Sequence, residues 1–141
     1  MPNGRTHDII TIIVAPEIIF IAYYFTEDIK SIGIILFAYL FSSFMFNGDL
    51  DTNSKPYNRW WLLKIIWIPY QLMFEHRSVY SHGLVIGTVI RVVYVALIPF
   101  MIIYLTNGNN IFSDINWNLM IILCVGLEAG SAVHTISDKI F

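Results

Sequence analysis

Thiol chemistry is nearly absent from this sequence: cysteine occurs once, as Cys124. One cysteine excludes an internal disulfide and any zinc motif built on cysteine pairs. It stands in an apolar stretch, so its expected place is the packed core. Charge is scarce as well. Asp, Glu, Lys and Arg make up 13% of the 141 residues, against about 25% in a typical soluble domain. Hydrophobic residues make up 57%, and the mean hydropathy is +0.66. A chain so short of charge is expected to lie mostly in lipid, as one membrane-embedded domain over residues 1–141. No run of basic residues occurs and the net charge is only −2, so nothing points to a nucleic-acid partner. The first eight residues hold one basic residue, and no small-residue cleavage site follows the apolar run after them. That segment is expected to stay as a membrane anchor.

What the sequence does have is four long apolar runs. A helix needs about 20 mainly apolar residues to cross a hydrocarbon core about 30 Å thick. Residues 9–25, interrupted by Pro16 and Glu17, make the first candidate, and residues 31–46 the second. Residues 83–105 carry Arg91, and residues 117–134 carry Glu128. The expectation is an all-α, polytopic membrane protein with four transmembrane helices. Residues 26–30 form a tight turn, and residues 107–116 an Asn-rich loop. Between the two pairs, residues 60–74 are short and rich in tryptophan, which favours the headgroup region. They read as an amphipathic helix in the interface, ended or kinked by Pro69, or as a re-entrant segment.

Basic residues set the orientation. Arg5, Lys55, Arg59, Lys64, Arg77 and Lys139 fall on the side that holds both termini, and the other side holds only Lys30. Both termini are therefore expected in the cytoplasm. An even number of spans also places all four histidines, His7, His76, His82 and His134, on one face. Asp8, Asp49, Asp51 and Asp138 share it, while Asp28 and Asp114 fall opposite and read as solvated charges.

Histidine and carboxylate gathered at one face suggest metal ligands. His134 and Asp138 are spaced i and i+4, so on a continuing helix both reach one ion. Asp49 and Asp51 alternate by two, so an extended segment points both the same way. Within the spans Arg91, Glu128 and Glu17 are costly in lipid and are expected to pair or to line a polar cavity. Arg91 with Glu128 is the expected pair, either a structural ion pair, a polar layer beneath the metal, or an arginine that binds an anion. Gly83 with Gly87 and Gly126 with Gly130 fit the small-residue pattern that lets helices approach, and would bring the third and fourth spans together.

Four segments carry a resemblance: residues 4–8 (Gly-Arg-Thr-His-Asp), 47–52 (Asn-Gly-Asp-Leu-Asp-Thr), 76–82 (His-Arg-Ser-Val-Tyr-Ser-His) and 130–138 (Gly-Ser-Ala-Val-His-Thr-Ile-Ser-Asp). In this order they resemble a family of small bacterial membrane proteins described as metal-binding. That family looks like a relative of membrane-bound metal-dependent hydrolases that include a LexA-regulated inner-membrane protein. The hydrolase motif reads His-Arg-x-x-Thr-His-Ser, and residues 76–82 space their histidines more widely. The resemblance implies metal binding first and hydrolysis second.

The expected ligands are His7, Asp8, Asp49, Asp51, His76, His82, His134 and Asp138. Mixed imidazole and carboxylate without thiolate suit zinc, manganese or iron, and magnesium less well. Eight candidates exceed the three protein ligands of a typical catalytic zinc, so two ions are expected, bridged by Asp49 or Asp51. The expected chemistry is hydrolysis of a phosphoester or lipid-like substrate, with Arg77 or Arg5 steadying negative charge. Lipid would reach the site past Trp60, Trp61 and Trp67. A metal-handling or transport protein and a purely structural metal site are the alternatives.

Overall fold

The computed structural model describes residues 4–107 and 115–140, and the regular structure in these residues is helical. Asp114 and most of the Asn-rich loop lie outside the described residues. Four helices are long and apolar enough to cross a membrane. They are α1 (Gly4–Thr26), α2 (Ile29–Met45, of spanning length together with the turn that runs on to Asp51), α6 (Ile86–Asn107) and α7 (Trp117–Ile140). Between α2 and α6 come a 3-10 turn (Gly48–Asp51), α3 (Lys55–Arg59), a 3-10 stretch (Trp61–Ile66), α4 (Trp67–Met73) and α5 (Val79–His82).

Helices α1 and α2 form the expected hairpin. Asp28 is more than a solvated charge: it caps α2, accepting from the Ser31 N–H at 2.9 Å and the Ser31 hydroxyl at 2.7 Å. The Tyr39 hydroxyl, fully buried, donates to the Thr11 carbonyl at 2.8 Å and ties α2 to α1.

Helix α7 lies along α2. A Cβ at Gly130 would come 2.4 Å from the Tyr39 carbonyl oxygen, and one at Gly126 would come 2.6 Å from the Ile35 carbonyl oxygen. The glycine pair thus seats α7 on α2, not on α6 as the sequence suggested. Small-residue spacing says that some backbone approaches, and leaves open which. The Ser42 hydroxyl donates to the Leu127 carbonyl at 2.6 Å and reinforces the same contact. Gly83 and Gly87 instead crowd the backbone of α5, at Val79 and Ser81.

The segment between the pairs is broken rather than one interfacial helix. Trp67 and Tyr70 are fully buried in an aromatic cluster with Phe46, Leu50 and Tyr57. Pro69 lies in the first turn of α4, where its missing N–H breaks no helical bond. Trp61, Leu62, Leu63 and Ile65 remain exposed and give the segment its apolar outer side.

Arg91 is fully buried, and its guanidinium bonds the Ser81 carbonyl at 2.5 Å, the Ser131 hydroxyl at 2.6 Å and the Thr88 hydroxyl at 3.1 Å. It forms no ion pair with Glu128, contrary to expectation. Glu128 Oε1 instead accepts from the Val85 N–H at 2.9 Å. Val85 stands at φ 65°, a left-handed conformation costly for a β-branched residue. The carboxylate holds the bend between α5 and α6 in place. Cys124 is exposed rather than packed in the core.

Candidate metal centre

Helix α2 ends at Met45, and the Asn47 side chain shapes the chain just beyond it. Its amide donates to the Ser43 carbonyl at 2.7 Å, and its oxygen accepts from the Asp49 N–H at 3.1 Å. The backbone then makes a 3-10 turn rather than an extended segment. Residues two apart on such a turn point in different directions, so Asp49 and Asp51 diverge. They flank opposite edges of the His82 ring: Asp49 Oδ1 lies 3.3 Å from Nε2 and Asp51 Oδ2 lies 3.3 Å from Nδ1. Gly48 permits this, because a Cβ there would fall 2.7 Å from the His82 ring.

Helix α7 continues past the expected end of the fourth span and brings His134 and Asp138 to the same place. His134 Nε2 is 3.3 Å from Asp49 Oδ2 and 3.6 Å from Asp138 Oδ2. Helix α1 starts at Gly4, earlier than the apolar run suggests, and carries His7 into the cluster. His7 Nε2 is 3.2 Å from Asp138 Oδ1, and its ring lies 4.3 Å from that of His134.

Asp8 does not join them. Consecutive residues on an α-helix are about 100° apart, and the turn from His7 to Asp8 aims the carboxylate at α3. Asp8 pairs with Arg59 at 2.8 Å and with Lys55, fastening α1 to α3. Glu17 is exposed on α1 beside Pro16 and Phe20. Arg5 is exposed near the start of the same helix.

The polar contacts sort the remaining candidates into two kinds. Asp51, its side chain fully buried, accepts from His76 Nδ1 at 2.8 Å and from the Arg77 N–H at 3.1 Å. Those are hydrogen-bond distances. Asp51 therefore holds His76 and faces the Nδ1 edge of His82. The Ser137 hydroxyl donates to the His134 carbonyl at 2.8 Å, so His7 Nδ1, 2.7 Å away, is the donor to Ser137. This tautomer turns the lone pair of His7 Nε2 toward Asp138. Ser137 was not among the residues expected from the sequence, although its place three residues after His134 was a signal.

The other group behaves differently. Asp49, His82, His134 and Asp138 offer ligand atoms within 4.8 Å of one another. Their closest separations run from 3.3 to 3.6 Å, long for hydrogen bonds. Ligands about 2.0–2.1 Å from a tetrahedral ion lie about 3.3 Å apart. His134 Nδ1, His134 Nε2 and Asp138 Oδ2 are buried without a hydrogen-bond partner, a costly state that a cation at Nε2 and Oδ2 relieves. A void of about 10 Å³ lies among His7, Asp49 and His134, room for about one atom. The residues fit a metal ion. Burial lowers the affinity of His82 for a proton, but Asp49 and Asp51 on its two edges outweigh that and raise its pKa to about 9. The surplus negative charge of the cluster calls for a cation.

Beside this cluster opens a cleft of about 310 Å³, lined by Arg77, Lys139, His82 and Asp138 among others. Lys139 was likewise not expected in the site. It comes directly after Asp138 and lies four residues beyond Thr135 on the same face of α7.

A family model described as "Uncharacterized metal-binding protein (DUF2227)" matches residues 2–141. A curated protein of Aquifex aeolicus (strain VF5), described as an uncharacterized protein, is 37% identical over 57 residues, 40% of this chain and 40% of that protein. The chain thus aligns with well under half of that relative's length. No solved structure matches.

Proposed function

Since the chain belongs to this family of uncharacterized metal-binding proteins, we propose that it holds one divalent ion at the helix ends and hydrolyses a phosphoester there. The carrying observation is the set of buried, unpartnered atoms on His134 and Asp138, grouped with Asp49 and His82 at co-ligand spacing. In this reading one ion takes the place of the expected two. The Asp51–His76 group shares His82 with the first group, and a neutral imidazole offers only one lone pair. Asp51 then orients His82, as carboxylates commonly orient metal-binding histidines. The donor set suits zinc, manganese or iron.

Such an ion supplies Lewis acidity and a water activated near neutral pH. The chain's own residues do the rest. Asp49, His82, His134 and Asp138 would hold the ion, His7 stands beside Asp138, and Asp51 and Ser137 fix the rings of His82 and His7. Arg77 and Lys139 face the cleft and offset negative charge gathering on the phosphoryl oxygens. Hydrolysis adds water across the phosphorus–oxygen ester bond, and the alcohol leaves with a proton. The cleft gives the centre an open side, which a purely structural site lacks. Transport fits less well, because transporter sites lie near the bilayer midplane and this one sits at helix ends. The asymmetry of basic residues favours a centre on the cytoplasmic face, and in this reading the membrane is a bacterial inner membrane.

Metal analysis of the purified chain tests the centre: one ion per chain is expected, two would refute the single-ion reading, and none would refute the site. Metal-dependent release of phosphate from a panel of phosphomonoesters and phospholipids tests the reaction. No turnover on any member counts against hydrolysis.

A further inference from the structure

Helices α6 and α7 touch at few points, and an apolar groove of about 620 Å³ lies between them, lined by Val89, Val93, Met120, Cys124 and Val125 among others. Its α7 residues Trp117, Met120, Cys124 and Glu128 recur every three or four positions, so they share one face of the helix. Thr135 and Asp138, which line the polar cleft beside the metal centre, continue the same face. On the opposing side Gly83 lines the cleft and Val85 the groove, two residues apart. Cleft and groove therefore follow one another along α7.

Their dimensions and chemistry match a membrane lipid. From Glu128 to Trp117 the helix rises about 16 Å, close to half of a hydrocarbon core about 30 Å thick. That is the depth of one acyl chain. At the other end Arg77 and Lys139 are exposed, and neither takes part in an ion pair among the described residues. They supply the positive charge that a phosphate headgroup needs. Trp67 on α4 is fully buried and lines neither the cleft nor the groove.

We infer that cleft and groove together seat one phospholipid, with its phosphate at Arg77 and Lys139 beside the metal centre and one acyl chain between α6 and α7. The inference rests on the hydrolase reading for the fate of that phosphate, but not for the binding. A phosphomonoester headgroup, as in phosphatidic acid, carries the most charge and is held most tightly.

The test titrates the full chain in neutral detergent with dilauroyl phosphatidic acid, dilauroyl phosphatidylcholine and glycerol 3-phosphate, reading retained ligand by native mass spectrometry. Phosphatidic acid is expected to bind about tenfold more tightly than phosphatidylcholine, as two charge-assisted contacts allow, and glycerol 3-phosphate is not retained. The double variant Arg77→Gln with Lys139→Gln is expected to abolish the preference between the lipids. Cys124→Trp fills the groove and is expected to weaken both lipids about tenfold. Val93→Trp does the same from α6, so misfolding of one variant leaves the other to decide. Equal retention of the two lipids by the unmodified chain overturns the inference. So does a preference that survives the double variant, or retention unchanged in both groove variants. Lipid retained as expected without any turnover removes the hydrolase reading and leaves the binding site standing. Turnover of small phosphomonoesters with no lipid retained does the reverse.

Discussion

The two long sides of α7 are built in opposite ways. Toward α2 the helix is closed: Gly126 and Gly130 let the backbones meet, and the Ser42 and Ser43 hydroxyls donate to the Leu127 and Gly130 carbonyls. Toward α6 the two helices touch at few points, and an apolar groove runs between them down to Trp117. The closed side fixes the height and rotation at which His134 and Asp138 reach the cluster. The open side leaves a way in. Rigid ligands depend on the first side and access to the centre on the second, and one helix provides both with two faces of different composition.

The largest test of this contrast is Gly130→Leu. Its side chain would overlap the backbone of Tyr39 and Ser43, so a loss of about 3 kcal/mol or more is expected in thermal unfolding. His134→Ala comes next: the fold is kept, and metal affinity measured by competition with a chelator falls by about 100-fold or more. Asp51→Asn, which disturbs an orienting contact rather than a ligand, is expected to cost about 10–100-fold in the same assay. Should Asp51→Asn exceed His134→Ala, Asp51 is a ligand and not an orienting group.

A smaller effect comes from His82, whose pKa in the metal-free fold is raised to about 9 by its two aspartates. A raised histidine pKa stabilises the fold fully below its unfolded value, about 6.5, and that contribution disappears as pH rises through about 9. Metal-free protein should melt at progressively lower temperature between pH 7 and 10, and His82→Gln should flatten the profile. Metal affinity should rise over the same interval, because the ion displaces that proton. The smallest effect expected is Cys124→Leu on the open side, within about 0.5 kcal/mol in thermal unfolding.

The spans were legible because lipid demands an apolar run long enough to cross it. Faces were not. When a helix is apolar all round, hydropathy does not separate side chains against protein from those against lipid. Sequence alone therefore puts Cys124 in the core and gives the glycine pair of α7 the wrong partner. The histidines were legible as a group, since scarce polar residues that gather on one face stand out. Their individual directions depended on local geometry: a helix that begins at Gly4 separates His7 from Asp8, and a 3-10 turn separates Asp49 from Asp51. Arg91 bonding a free carbonyl of α5 depended on the bend at Val85, which no periodicity announces.

The cluster joins His7 in the first turns of α1 to Asp138 near the end of α7, so it draws together parts of the chain made early and late in synthesis. No shorter stretch of the growing polypeptide contains a complete set of donors. The ion can be captured in full only after α7 has been inserted and has docked on α2, and long-range closures of this kind form late. Metal loading would thereby report that the helices have assembled, and a chain stalled short of α7 would lack the complete donor set.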